Sequence, residues 1–187
     1  MLITFPLLLA LAATLLRGGT LRALAGLPVR GAGLFVAALA VQILLYLPPL
    51  RGAPVTLRQG GILYVAALGL ALLGALRNWR LGPAARLAML GLALNLVAIA
   101  ANGGYMPVDA AAMQAARGGA TVREIADARR YHNVRLAGAS TRLVFLSDII
   151  PLRLPDGPGN VYSVGDVLLA AGVAALAYTA ARRPPTP

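Results

Sequence analysis

The 187-residue chain is 59% hydrophobic and carries a formal charge of +11, from 17 arginines against six acids and with no lysine. Soluble domains run at roughly 45–50% apolar residues; here the excess lies in long uninterrupted runs, so the composition reads as a membrane protein. The arginines gather in short connectors and aromatics are 5% of the chain, which speaks against a nucleic-acid-binding face, while the lack of cysteine excludes disulfides, thiolate chemistry and iron–sulfur ligation.

Five apolar runs predict spanning helices over about residues 2–16, 31–47, 61–76, 84–101 and 164–181. The first has no charge before it and Arg17 after it, the wrong order for a secretory signal, so it reads as a retained helix with its N-terminus outside. Pro48-Pro49 stops the second run, because proline cannot continue a helix. Gly103-Gly104 stops the fourth, and Arg182-Arg183 follow the fifth. Arg17, Arg22 and Arg30 in the first connector, Arg77, Arg80 and Arg86 in the third, and the two tail arginines outweigh Arg51 and Arg58 in the second. The positive-inside rule then puts the C-terminus in the cytoplasm and the long segment 102–162 outside. The expected fold is all-α: one membrane domain over residues 1–187, a five-helix bundle in the cytoplasmic (inner) membrane with a structured extracytoplasmic loop.

That loop holds five of the six acids and the only histidine. Asp109 is placed to cap a short helix, Ala110 to Arg117, ended by Gly118-Gly119. Thr121-Val122-Arg123-Glu124 matches a capping box and predicts a second helix, running to about His132. Leu143 to Leu152 is apolar but broken by Ser147-Asp148 and too short to span, which suits a re-entrant or interfacial segment or packing on the bundle. Gly157-Pro158-Gly159 is a turn.

The residues able to carry chemistry are few. Asn102 ends the fourth span and Asp166 begins the fifth, so both lie at one membrane face. Each also has a local reading: Asn102 as a helix C-cap, and Asp166 as the acid of the capping box Ser163-Val164-Gly165-Asp166. Gln42 and Asn95 read as interhelical hydrogen-bond groups. Asp148 interrupts an apolar stretch, where a carboxylate needs a partner; Arg142 or Arg153 would be the plain one, and His132 the interesting one. The candidate ligand-binding residues are Asn102, Tyr105, His132, Asp148 and Asp166, with Asp148, Asp166 and His132 as catalytic candidates. Asn102, Asp166 and at least one of His132 and Asp148 are expected to converge on one pocket. One histidine cannot make a histidine-rich metal site, and neither metal nor cofactor is expected.

Three stretches together, Asn102-Gly-Gly-Tyr-Met-Pro-Val108, Leu146-Ser-Asp-Ile-Ile-Pro-Leu152 and Asn160-Val-Tyr-Ser-Val-Gly-Asp-Val-Leu-Leu169, resemble a bacterial family of small polytopic membrane proteins catalogued only as a domain of unknown function. The likeness covers nearly the whole chain. The family pattern includes a loop histidine, matched by His132; it implies a membrane protein and no activity. Ser163-Val-Gly-Asp-Val-Leu-Leu is also similar to the Gly-x-Gly-Asp segment of prepilin peptidases, which are intramembrane aspartyl proteases, and this would pair Asp148 with Asp166. Here Ser163 replaces the first glycine, the pair is not separated by transmembrane helices, and it lies outside and not toward the cytoplasm. The leading expectation is a non-catalytic accessory or stabilising subunit of a membrane complex, or a binder of a lipid-like ligand. Its partners would be the lipid bilayer and other membrane subunits, with no nucleic acid. The alternative is a membrane-embedded, aspartyl-protease-like hydrolase acting through Asp148 and Asp166.

Overall fold

The computed structural model describes residues 26–47, 54–126, 133–154 and 157–181. The first expected span, Arg51, His132, Arg129, Arg130 and the tail arginines lie outside the described residues. Four apolar helices pack side by side: α1 (Ala32–Tyr46), α2 (Pro54–Arg77), α3 (Pro83–Ala101) and, after the headpiece, α6 (Val164–Ala181). Pro54 and Pro83 open α2 and α3 at the position where a missing N–H costs nothing. A 3₁₀ turn, Trp79–Leu81, reverses the chain between them. α1 packs on α2, α2 on α3, and α3 most extensively on α6.

Two segments, Gln59–Arg77 and Pro83–Ala101, are each 19 residues long and apolar enough to cross a membrane. At 1.5 Å per residue each is about 28 Å long, close to the roughly 30 Å of a bilayer's hydrocarbon. Ala32–Leu45 and Val164–Ala180 are apolar but shorter. Their outer faces are apolar too: Val36, Leu39, Ile62, Leu73, Leu90, Val97 and Val167 are all exposed.

Small residues set the tightest contact. A Cβ on Gly91 of α3 would run into the Gly165 carbonyl and the Leu169 backbone of α6, and one on Gly172 would strike Ala88. The two helix backbones therefore touch along this line. The helix ends are tied by asparagines. Asn78, just past α2, donates to Gly74 O (2.7 Å) and Arg30 O (2.7 Å) and accepts from Arg30 N (2.8 Å). Asn102, just past α3, repeats the pattern on the headpiece. It donates to Ala98 O (2.8 Å) and Arg142 O (2.9 Å) and accepts from Arg142 N (2.9 Å).

The headpiece between α3 and α6 is not helical throughout, which departs from the all-α expectation. Asp109 caps α4 (Ala110–Arg117) by accepting from Ala112 N at 2.7 Å, and Gly118, at φ 85°, ends that helix. The next helix, α5 (Gly119–Ala126), starts two residues before Thr121, so Thr121 lies inside it and the expected capping box does not begin it. β1 (Met106–Val108) pairs in parallel with β2 (Val134–Leu136), and Asp148 bridges to the other edge of β1. β3 (Ile150–Leu154) pairs antiparallel with β4 (Gly157–Tyr162). The apolar stretch 143–152 thus forms a 3₁₀ turn, Val144–Leu146, and the start of β3, and not a re-entrant helix. Its backbone polar groups pair with β1 and β4, the cheaper solution for a segment too short to satisfy itself as a helix.

Two apolar clusters fix the headpiece. Val108, Ala112, Met113, Ile125 and Val161 form its own core. Met106 and Leu146 reach into the bundle cluster of Leu68, Leu92, Ala98 and Ile99. The headpiece is thereby docked on the ends of α2, α3 and α6.

Candidate functional site

The start of α6 builds the floor of the site. The Ser163–Asp166 capping box closes both ways: Asp166 N donates to Ser163 Oγ (3.0 Å) and Ser163 N donates to Asp166 Oδ2 (3.2 Å). Asn95 of α3 joins it from 71 positions away in sequence. Its Nδ2 donates to Asp166 Oδ1 at 2.7 Å, and its Oδ1 accepts from Ser163 Oγ at 2.8 Å. Gly165 makes room for this amide, since a Cβ there would fall on Asn95 Oδ1. The three side chains form a closed ring that welds α6 to α3 and leaves both Asp166 oxygens engaged.

Above this floor lies a cavity of about 370 Å³ between bundle and headpiece. Tyr64 of α2, Asn95 and Ile99 of α3 and Asp166 line it from the bundle. The headpiece contributes Met106, Met113, Arg117, Thr121, Ile125, Asn133, Val134, Asp148 and the run Asn160 to Tyr162. Tyr64 and Asn133 line the cavity from opposite sides, one from the bundle and one from the headpiece. Arg117, the last residue of α4, is exposed at the rim and has no carboxylate partner among the described residues.

Asp148 is held by its backbone. Its N–H donates to Pro107 O (2.9 Å), and its carbonyl accepts from Asp109 N (2.9 Å). Its carboxyl has no such support: Oδ1 is buried and has no hydrogen-bond partner among the described residues, and the same is true of neighbouring Ser147 Oγ. Burial first, and the Asp166 carboxylate second, push the Asp148 carboxyl up from 3.8 to about 8. At pH 7 it is therefore mostly protonated.

Asp148 and Asp166 both line this cavity. The rest of the expected constellation does not. Asn102 is spent on the backbone of Ala98 and Arg142 and does not line the cavity. Tyr105 lies outside it as well, with the Arg135 guanidinium 3.5 Å above its ring. His132 lies outside the described residues; its neighbour Asn133 lines the cavity. Arg153, weighed as a partner for Asp148, donates instead to Ala115 O. Sequence reasoning missed Tyr64, Arg117, Thr121, Asn133 and Asn160. Tyr64 alone left a signal, as the one tyrosine within an otherwise aliphatic run. Among the described residues no three acidic, histidine or cysteine side chains cluster in a way that would hold a metal ion.

Fold and site together define a mostly helical protein with two helices long enough to cross a membrane and a headpiece closing a carboxylate-lined cavity at their ends. The chain belongs to the family of unknown function DUF5317, whose model matches residues 26–178. No curated protein and no solved structure matches it.

Proposed function

We propose that this is a multi-pass protein of the cytoplasmic membrane, spanning it five times with its N-terminus outside and its C-terminus in the cytoplasm, and that it holds a small ligand beneath an extracytoplasmic headpiece. The cavity carries this reading. Its volume of about 370 Å³ falls in the roughly 300–1,000 Å³ range of small-molecule sites. Its walls combine apolar side chains with a few convergent polar groups, the pattern of a binding site. A carboxyl oxygen buried there without a partner would be satisfied by a ligand donor. The arginine asymmetry supports the orientation. The same binding role suits an accessory subunit of a larger membrane complex, with the ligand-filled headpiece as the part presented to partners.

The hydrolase reading has one observation in its favour: Asp148 and Asp166 line the same cavity, and the charge of one raises the other. An aspartyl dyad shares a proton between two free carboxyls. Asp166 already accepts from Asn95 and Ser163 on its two oxygens, which is the arrangement of a helix cap.

Native mass spectrometry of gently extracted protein tests ligand binding. Wild type should carry a small-molecule mass, and Thr121→Trp, which fills the cavity from α5, should lack it while keeping the same circular dichroism. Bare wild-type protein, or the same mass on both, would overturn the proposal.

A further inference from the structure

The cavity is polar in a directional way. Asp148 lines it from the headpiece and Asp166 from the bundle, and the exposed Arg117 stands at the rim. Burial and the Asp166 carboxylate raise the pKa of the Asp148 carboxyl. Carboxyl and guanidinium groups thus line one cavity. Between them lie apolar and aromatic walls, among them Tyr64, Met113 and Ile125. Such a lining complements a ligand that carries both charges, separated by a short spacer.

From this arrangement we infer that the cavity binds a zwitterion, with its ammonium group between Asp148 and Asp166 and its anionic group, a phosphate or carboxylate, on Arg117. This rests on the ligand-binding reading above and adds the ligand's chemistry to it. The ammonium supplies the donor that the buried Asp148 Oδ1 lacks. It also offsets the repulsion between two carboxylates in one site. Since Asp148 is mostly protonated at neutral pH, binding proceeds with loss of its proton: the carboxylic acid and the ammonium become a carboxylate–ammonium pair, and one proton passes to solvent. The ammonium keeps its own proton, its pKa lying near 10 as for lysine.

The titratable or charged groups that line the cavity with Asp148 are Asp166 from α6, Tyr64 from α2 and Tyr162 from β4, with Arg117 at the rim. The affinity for an ammonium ligand should therefore rise close to tenfold per pH unit from 6 to 7 and level off above about 8.

O-phosphoethanolamine is the probe, with ethanolamine and glycerol phosphate as matched half-ligands. Isothermal titration calorimetry on the full chain in phosphatidylglycerol nanodiscs, in two buffers of different ionisation enthalpy, reads both affinity and proton release. The zwitterion should bind at least tenfold more tightly than either half-ligand and release protons on binding at pH 7. Asp148→Asn should lose the proton release and the pH slope, and Arg117→Gln should lose the preference for phosphoethanolamine over ethanolamine. Nanodiscs of phosphatidylethanolamine separate the two sources of this chemistry: a lipid headgroup would already fill the site and abolish probe binding, whereas a soluble ligand would bind equally in both. Absence of binding in phosphatidylglycerol, or unchanged binding by Asp148→Asn and Arg117→Gln, would overturn the inference. A co-purified ligand without an ammonium group would overturn it as well, while leaving the ligand-binding reading in place.

Discussion

Replacing Asp148 by asparagine should make this protein more stable at neutral pH, the reverse of the usual result for a buried polar residue. The carboxyl ionises at about 8 in the folded state against 3.8 as a free side chain. Its pKa is raised, so the folded state binds the proton more tightly than the unfolded state does. Stability from this group is complete below about pH 4 and is lost as pH rises through 8. At about 1.4 kcal/mol per pH unit, the gap amounts to a ceiling of about 4 kcal/mol at pH 7. The gain on neutralising the site is expected at about 1–3 kcal/mol, the span that mutational data give for burying a polar group. Asparagine keeps the shape and never ionises. Thermal unfolding in detergent from pH 5 to 8.5 reads the effect: the wild-type midpoint should fall across this range more steeply than that of Asp148→Asn, and the two should draw together at the acid end. Parallel curves would show that Asp148 is not the buried titrating group and would refute the reasoning.

Other outcomes follow from the packing and the charge pattern. Gly91→Ala should destabilise by about 1–3 kcal/mol, because its Cβ meets α6 backbone that cannot yield; Gly33→Ala, with open space around it, should be neutral or slightly stabilising in the same melt. Asn102→Ala removes the two hydrogen bonds that hold Arg142 to the end of α3, and a third to Ala98 O; it should cost about 1–3 kcal/mol, and trypsin, which should spare Arg142 in wild type, should then cut there quickly. A reporter fused after Pro187 should read cytoplasmic and one inserted at Gly118-Gly119 outside, since the short connectors carry the arginine bias; the opposite pair of readings would invert the orientation.

What could be read from the chain beforehand follows the range of the interaction. The apolar runs were visible because long apolar helices declare themselves by composition. The described helices at 32–46, 83–101 and 164–181 begin or end within about one residue of those runs, and α2 begins earlier, at Pro54. Asp109 over Ala112 and the Ser163–Asp166 box were visible because helix caps are local hydrogen bonds between residues three apart. The strands were not: β1 and β2 have three residues each, too few for a period, and Pro107 within β1 masks one of them. Asn95 was legible as an interhelical donor and acceptor, but its partners at 163 and 166 were set by how α6 returns to α3. Asn102 failed as a site residue for the same reason; its amide found backbone at Arg142 that no local pattern announces. Arg117, Asn133 and Asn160 belong to no motif, and only the folding of the headpiece over the bundle gathers them at one cavity.

The chain has no cysteine, so an introduced one reports on its own surroundings without background. The most direct test of a ligand-filled cavity is therefore the labelling rate of Thr121→Cys, which lines the cavity, against Ala120→Cys, which is exposed beside it. Thr121→Cys should react slowly with a small maleimide in native membranes and several-fold faster after the protein is purified and stripped with detergent, while Ala120→Cys reacts at the same rate in both. Equal rates for Thr121→Cys before and after stripping would show an empty cavity and contradict the account.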